Sequence, residues 1–321
     1  VKPLDVKEVN MIEVENLSKY FGETKAVDGI SFNIGKGEIV AFLGPNGAGK
    51  TTTMRMLTGF LPPTRGRCLI KGVDVFAEPT KTKQWIGYLP EDNPLYPDMK
   101  VYEYLEFIGE IREISNLKSR VREVGEICGL DNVLNKEIGV LSRGYRQRVG
   151  VAQAIIHNPD ILILDEPTEG LDPNQVLELR NLIKELGKEK TVMLSTHILS
   201  EAEATCERVL IINKGKIVAD GAKDEIETIA RGGETITLEI FSEKEPKDAL
   251  NKIPGIKEVR EISKESVSEK GFRYRFEITA QNDIREEIFD TAVSKKWKIF
   301  ELHRKSTSLE DLFRELTKEQ L

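Results

Sequence analysis

The sequence predicts an α/β fold, with a large domain on a mostly parallel sheet and a small α+β domain after it. Three observations predict it. Two short apolar runs, Ile39-Val40-Ala41-Phe42-Leu43 and Ile161-Leu162-Ile163-Leu164, have the length and punctuation of buried strands. Amphipathic helical stretches alternate with them, as βαβ crossovers in a parallel sheet require. Beyond Arg231-Gly232-Gly233, which reads as a linker, the pattern becomes strand, helix, strand, strand, helix, strand, helix. That order is the ferredoxin-like arrangement.

The elements follow in order. Residues 11–14 and 26–34 alternate apolar and polar side chains like half-exposed strands. Gly35-Lys36-Gly37 turns the chain into the first buried run, and residues 51–57 read as a helix stopped near Gly59 and Pro62-Pro63. From about 92 to 156 the pattern is helical and charged, with Tyr104, Phe107 and Ile111 along one face. Asp172-Pro173 opens a further helix, with aspartate as N-cap and proline at the first helical position. Its apolar face is Val176, Leu179, Ile183 and Leu186. Residues 191–195 form a third buried strand, and 209–218, broken at Asn213-Lys214-Gly215, a hairpin. In the small domain, strands are expected at 235–241, 256–262, 272–279 and 299–304, and a helix at 283–296. Thr307-x-x-Glu310 is a capping box for a last helix from Ser308. The expected domains are 1–221, with a helical subdomain at about 92–156, and 222–321.

Bulk properties narrow the function. The 321 residues carry a formal charge of -7, which disfavours a general nucleic-acid binder because a phosphate footprint needs a basic face. No run approaches the roughly 20 apolar residues that span a bilayer, and residues 1–10 lack a signal-like apolar core. The expected location is therefore cytoplasmic. Cys68, Cys128 and Cys206 are scattered, without a CxxC pair, and read as reduced thiols.

The chemistry lies in two places. Gly44-Pro45-Asn46-Gly47-Ala48-Gly49-Lys50-Thr51, followed by Thr52, fits G-x-x-x-x-G-K-[ST] between a predicted strand and helix. Glycines let backbone N–H groups approach phosphates, and the helix N-terminus adds partial positive charge. Lys50 suits the β- and γ-phosphates of ATP, and the Thr51 hydroxyl suits Mg²⁺. The second buried run ends in Asp165-Glu166, two carboxylates that packing would not place there. Asp165 suits Mg²⁺ and Glu166 suits an attacking water, so the expected reaction is ATP hydrolysis.

With these motifs, the chain resembles the ATP-binding subunit of an ABC transporter over roughly residues 11–221. Leu141-Ser142-Arg143-Gly144-Tyr145-Arg146-Gln147-Arg148 sits where the LSGGQ-x-x-R signature belongs. Gly170-Leu171-Asp172 resembles the D-loop and Thr196-His197 the switch histidine. The resemblance implies a P-loop NTPase fold and a head-to-tail dimer holding two ATP molecules. Ser142 and Gly144 of one chain would then face the phosphates of the other. It also implies that His197 senses the γ-phosphate and that Phe21 stacks on adenine, unless Phe21 is a core aromatic.

Two departures stand out. Glu91 follows Tyr88-Leu89-Pro90 where the family has glutamine, and it is assigned to Mg²⁺ with Thr51 and Asp165. Arg143 replaces a signature glycine, and a charge compensation with Glu91 competes with a solvent- or permease-facing Arg143. A weakly hydrolysing regulatory subunit and a cytosolic non-transport ATPase are the alternatives. Tyr88, Tyr96, Tyr102 and Tyr104 cluster where the family receives its membrane subunit, and read equally as interface or as subdomain core. The small domain resembles the extension of ABC-2 type exporters, drug-export and gliding-associated subunits among them. This implies a separate ABC-2 type permease, a place on the inner face of the membrane through it, and a regulatory or dimer-strengthening extension.

Overall fold

The computed structural model describes residues 10–222, 234–268, 271–280 and 282–305. They divide into two units with separate cores, the residues up to 222 and those from 234 on. The first unit opens with β1 (Asn10–Phe21), β2 (Thr24–Gly35), β3 (Ile39–Leu43) and α1 (Lys50–Leu57). β4 (Arg65–Ile70), β5 (Val73–Asp74), α2 (Pro79–Trp85) and β6 (Ile86–Leu89) follow. Three helices come next, α3 (Val101–Ile111), α4 (Leu117–Ile127) and α5 (Arg143–Ile155). The unit continues through β7 (Ile161–Leu164), α6 (Pro173–Gly187) and β8 (Thr191–Thr196). It ends with α7 (Leu199–Thr205), β9 (Arg208–Asn213) and β10 (Lys216–Ala222).

Six strands form the central sheet in the order β10-β9-β3-β8-β7-β6, parallel except for β10. The two apolar runs that announced it are β3 and β7, with the bounds expected. β3 lies between β8 and β9 and buries Val40, Ala41, Phe42 and Leu43 completely. A second, antiparallel sheet, β2-β1-β4-β5, packs on it: Phe32 and Phe42 bring their rings to 5.9 Å, and α1 adds Met54 and Leu57 to the same core. The carboxyl ends of β3, β6, β7 and β8 share one edge, where open α/β sheets bind ligands.

Several expectations need correction. The first two strands run to twelve residues each, because irregular register between Val14 and Leu17, and again up to Tyr20, breaks the alternation that would reveal their length. The helical reading of 92–156 begins only at Val101, after a turn-rich loop carrying Pro94 and Pro97. Tyr104, Phe107 and Ile111 all lie on α3 at the helical spacing expected, Tyr104 buried and Phe107 and Ile111 38% and 61% exposed. β4, β5, α2 and α7 were not expected. The helix opened by Asp172 is as predicted, with its carboxylate accepting from the N–H groups of Asn174 and Gln175 at 3.0 Å each. Leu179, Ile183 and Leu186 are buried, and Val176 is half-buried.

The second unit contains β11 (Glu234–Ser242), α8 (Lys247–Leu250), β12 (Ile256–Ser268), β13 (Gly271–Ala280), α9 (Arg285–Lys295) and β14 (Lys298–Lys305). Its antiparallel sheet has the order β12-β13-β11-β14, the split-βαβ arrangement read from the sequence. Ile236, Leu238, Ile240, Tyr274, Phe276 and Ile278 point to one face and close a core with Ile288 of α9. Arg231-Gly232-Gly233 and the helix expected from Ser308 lie outside the described residues.

Among the described residues no helix is long and apolar enough to cross a membrane. Cys68, Cys128 and Cys206 are buried and unbridged, and burial pushes the Cys68 and Cys128 thiols up to about 12. These two thiols stay protonated at neutral pH and so lack the thiolate that reacts.

Candidate active site

The loop from β3 into α1 wraps around a cleft of about 390 Å³ lined by Asn46, Gly47, Gly49, Lys50, Thr51, Thr52, Glu91, Glu166, Glu169 and His197, with Ala26 at its side. Gly44, Pro45 and Ala48 belong to the same loop but do not line the cleft. Two of the glycines are demanded by packing as well as by turn geometry. A Cβ on Gly44 would lie 2.4 Å from the Ile212 carbonyl oxygen, and one on Gly49 2.4 Å from that of Ala26. Gly49 also sits at φ +110, where L side chains are strained. The loop is therefore pinned between the β1–β2 hairpin and β9 before any ligand arrives.

Lys50 opens α1 and is 6% exposed. Its Nζ donates to the carbonyls of Gly44 at 2.8 Å and Pro45 at 3.2 Å, and lies 3.1 Å from Glu166 Oε1. Glu166 Oε2 meets His197 Nδ1 at 3.0 Å. A carboxylate only accepts, so the His197 proton on that contact resides on Nδ1. Glu166 is thus fixed by a cation on one oxygen and an imidazole on the other. Its backbone is left-handed at φ 45, an uncommon conformation for a non-glycine residue and one that recurs at functional sites.

Asp165 is fully buried one residue earlier. Ser195 Oγ donates to its Oδ1 at 2.6 Å and accepts from the Glu166 N–H at 2.8 Å. Thr51 Oγ1 stands 3.1 Å from Glu91 Oε2 and 3.4 Å from Asp165 Oδ1. Asp165 Oδ2 is buried with no hydrogen-bond partner. Burial pushes the Asp165 carboxyl above its ordinary range, against the bonds from Ser195 and Thr51, and the neighbouring Glu91 and Glu166 push the same way. An orphaned carboxylate oxygen beside a hydroxyl and a second carboxylate is a hard-oxygen set suited to a small divalent cation. Among the described residues no three His, Cys, Asp or Glu side chains form a self-sufficient metal centre. A cation here would need oxygens from a ligand, the usual way Mg²⁺ is held with phosphates.

The remaining expected residues lie apart from this cleft. Phe21 ends β1 at 51% exposure with Lys19 Nζ 5.4 Å from its ring, so it is not a core aromatic, and it does not line the cleft. Ser142 caps α5, accepting from the Tyr145 N–H at 3.4 Å. Gly144 is buried against the Gln175 side chain, and the Arg143 guanidinium packs on Gly170. Glu91 and Arg143 therefore have different neighbours within one chain.

A family model described as ABC transporter matches residues 27–169, the stretch containing the phosphate loop and Asp165-Glu166. A Bacillus subtilis protein, "Uncharacterized ABC transporter ATP-binding protein YhcH", is 33% identical over 313 residues, covering 96% of this chain and 96% of its own length. This chain belongs to the ABC transporter ATP-binding proteins. The B. subtilis ABC transporter ATP-binding protein NatA is 36% identical over 261 residues, 79% of this chain and all of that one. Among solved structures, a dimeric post-hydrolysis state of the ATP-binding cassette MJ0796, bound to ADP and Pi, matches with a TM-score of 0.61 at 27% identity. It covers 66% of this chain and 98% of that one.

The sequence reading of this ABC subunit missed two parts of the site. Ser195 joins Asp165 to the Glu166 backbone, and Glu169 lines the cleft. Ser195 was detectable in principle, as a hydroxyl inside the fully buried Thr191–Thr196 strand.

Proposed function

We infer that this chain hydrolyses ATP and powers export through a separate ABC-2 type permease, working as a dimer that closes on two nucleotides. The observation that carries the reading is Glu166, held between Lys50 and His197 at 3.1 and 3.0 Å beside the Thr51–Asp165 pair. In a nucleotide complex, Lys50 would turn from its loop carbonyls and from Glu166 Oε1 to phosphate oxygens, which frees that carboxylate oxygen. Glu166 then takes the proton of a water whose oxygen bonds to the γ-phosphorus as the bond to the β–γ bridging oxygen breaks and ADP leaves, while His197 keeps the other Glu166 oxygen fixed. Thr51, Asp165 and Glu91 would hold Mg²⁺, which neutralises phosphate charge when bound. Ser142, Gly144 and the N-terminus of α5 offer a second anion site, suited to the γ-phosphate of a partner chain. Phe21, exposed at the strand end, remains the candidate for stacking on adenine.

Two relatives support the export reading: "Bacitracin transport ATP-binding protein BcrA" of Bacillus licheniformis is 42% identical over 212 residues, and "Linearmycin resistance ATP-binding protein LnrL" of B. subtilis 38% over 231. A groove of about 520 Å³ lined by Arg55, Phe60, Lys83, Tyr88, Tyr104 and Arg112 offers the permease a surface of aromatic and basic groups. The tyrosine cluster thus splits: Tyr96 is 52% exposed, Tyr104 is buried, and Tyr88 is half-buried at the groove wall. The second unit is assigned a regulatory or dimer-strengthening role.

Phosphate release by wild type and Glu166→Gln, with binding of MgATP measured in parallel, tests the reading. A loss of at least about 100-fold in turnover with binding retained is expected, since removal of a single catalytic group costs on that scale. Glu166→Gln with MgATP should also elute as a dimer in size-exclusion chromatography. Wild-type turnover no faster than that of Glu166→Gln overturns the hydrolytic assignment.

A further inference from the structure

We propose that Glu91 makes this chain select the metal-charged form of its nucleotide, repelling free ATP and admitting MgATP. The inference rests on the nucleotide reading above and deepens it.

The cleft is lined by Glu91, Glu166 and Glu169, with Lys50 and the His197 imidazole among its other side chains. Lys50 is already matched by Glu166 at 3.1 Å. The carboxylates that remain face the place where phosphates must lie, and Glu91 is the nearest of all to Thr51, with Oε2 3.1 Å from its hydroxyl. Asp165 Oδ1 is 3.4 Å from the same hydroxyl. An anionic triphosphate entering alone would add its charge to two carboxylates flanking one threonine. A divalent cation on the β- and γ-phosphates reverses the sign of that encounter and gives both carboxylates a ligand. Since the described residues contain no metal centre complete in itself, the cation must arrive with phosphate oxygens. An amide at position 91 has the same reach without the charge. It would coordinate a cation through its oxygen and would not repel free ATP. The carboxylate thus turns the presence of metal into a condition for binding.

Glu91 is exposed, so solvent and salt screen it, and the expected effect is modest. Equilibrium binding of a fluorescent ATP analogue would be measured in EDTA and in saturating Mg²⁺, for wild type, Glu91→Gln and Glu91→Ala. Wild type should bind the magnesium form far more tightly. Both substitutions should tighten binding in EDTA by about tenfold, about 1.4 kcal/mol. Only Glu91→Ala should weaken the magnesium form, because it alone removes the oxygen ligand. The gain in EDTA should shrink as salt is raised. Unchanged EDTA affinity in both variants, or wild-type binding indifferent to Mg²⁺, overturns the inference while leaving the nucleotide reading intact. Failure of wild type to bind the magnesium form overturns both.

Discussion

Ser195 is a buried hydroxyl with two duties, and both concern Asp165 and Glu166, the carboxylates proposed to act on nucleotide. It accepts from the Glu166 N–H at 2.8 Å, steadying a residue whose backbone sits at φ 45, and donates to Asp165 Oδ1 at 2.6 Å. Replacing it with alanine leaves a buried N–H without its acceptor and takes one donor from a carboxylate whose other oxygen already lacks a partner. The cost of such orphaned groups is about 1–3 kcal/mol, which denaturant unfolding of Ser195→Ala would read. The chemical step should suffer more than binding, because the phosphate loop makes no contact through this hydroxyl. Steady-state kinetics should therefore show kcat falling at least about tenfold with KM nearly unchanged. A KM increase at constant kcat would place Ser195 in nucleotide binding instead. The contrast with Glu166 is informative: one residue would do the chemistry, and the other holds its geometry.

Between elements, the docking of α5 on β6 depends on a histidine that the phosphate chemistry does not use. His157, two residues past α5, donates through Nε2 to the Ile86 carbonyl at 3.0 Å, while its Nδ1 is buried without a partner. Arg120 of α4 covers the last carbonyls of the same helix, those of Ile155 and Ile156, at 2.7 and 2.9 Å. Burial first, and the nearby Arg112 charge second, push the His157 pKa down to about 4. A folded-state value below the unfolded one of about 6.5 means that the unfolded chain binds the extra proton first. The contribution to stability is full above about pH 6.5 and is lost as pH falls toward 4, amounting to about 3 kcal/mol. Urea midpoints measured from pH 7 to 4.5 should therefore fall more steeply for wild type than for His157→Gln; parallel curves would rule the switch out. Nothing in the sequence announces this, because Ile86 is far from position 157 in the chain. The same limit separates what was legible from what was not. The Ile39–Leu43 and Ile161–Leu164 strands and the phosphate loop are local patterns, and their bounds and neighbours follow from adjacent residues. Ser195 under Asp165, and Arg143 on Gly170, come from long-range packing, while the twelve-residue β1 is hidden by its register shifts.

For the whole chain, two separate cores predict two unfolding events. Val40, Phe42, Met54 and Met193 belong to one core; Ile236, Leu238, Tyr274 and Phe276 belong to the other. The phosphate loop, Glu91, Asp165, Glu166 and His197 all lie in the first unit. A ligand that binds only the folded form stabilises the unit that holds its site, by about 2.7 kcal/mol at 100 times its Kd. For a unit of this size each kcal/mol raises the midpoint by about 2–4 °C, so saturating MgATP should move one calorimetric transition up by about 5–10 °C. Glu166→Gln is the protein for the measurement, since it should hold nucleotide without consuming it during the scan. The second transition should stay within error of its nucleotide-free position, because its core contains none of the cleft residues. Two moving transitions would mean that nucleotide binding is felt in the second unit, which is what a regulatory role for that unit requires when ATP is bound. A stationary second transition would count against a regulatory role exercised through nucleotide binding.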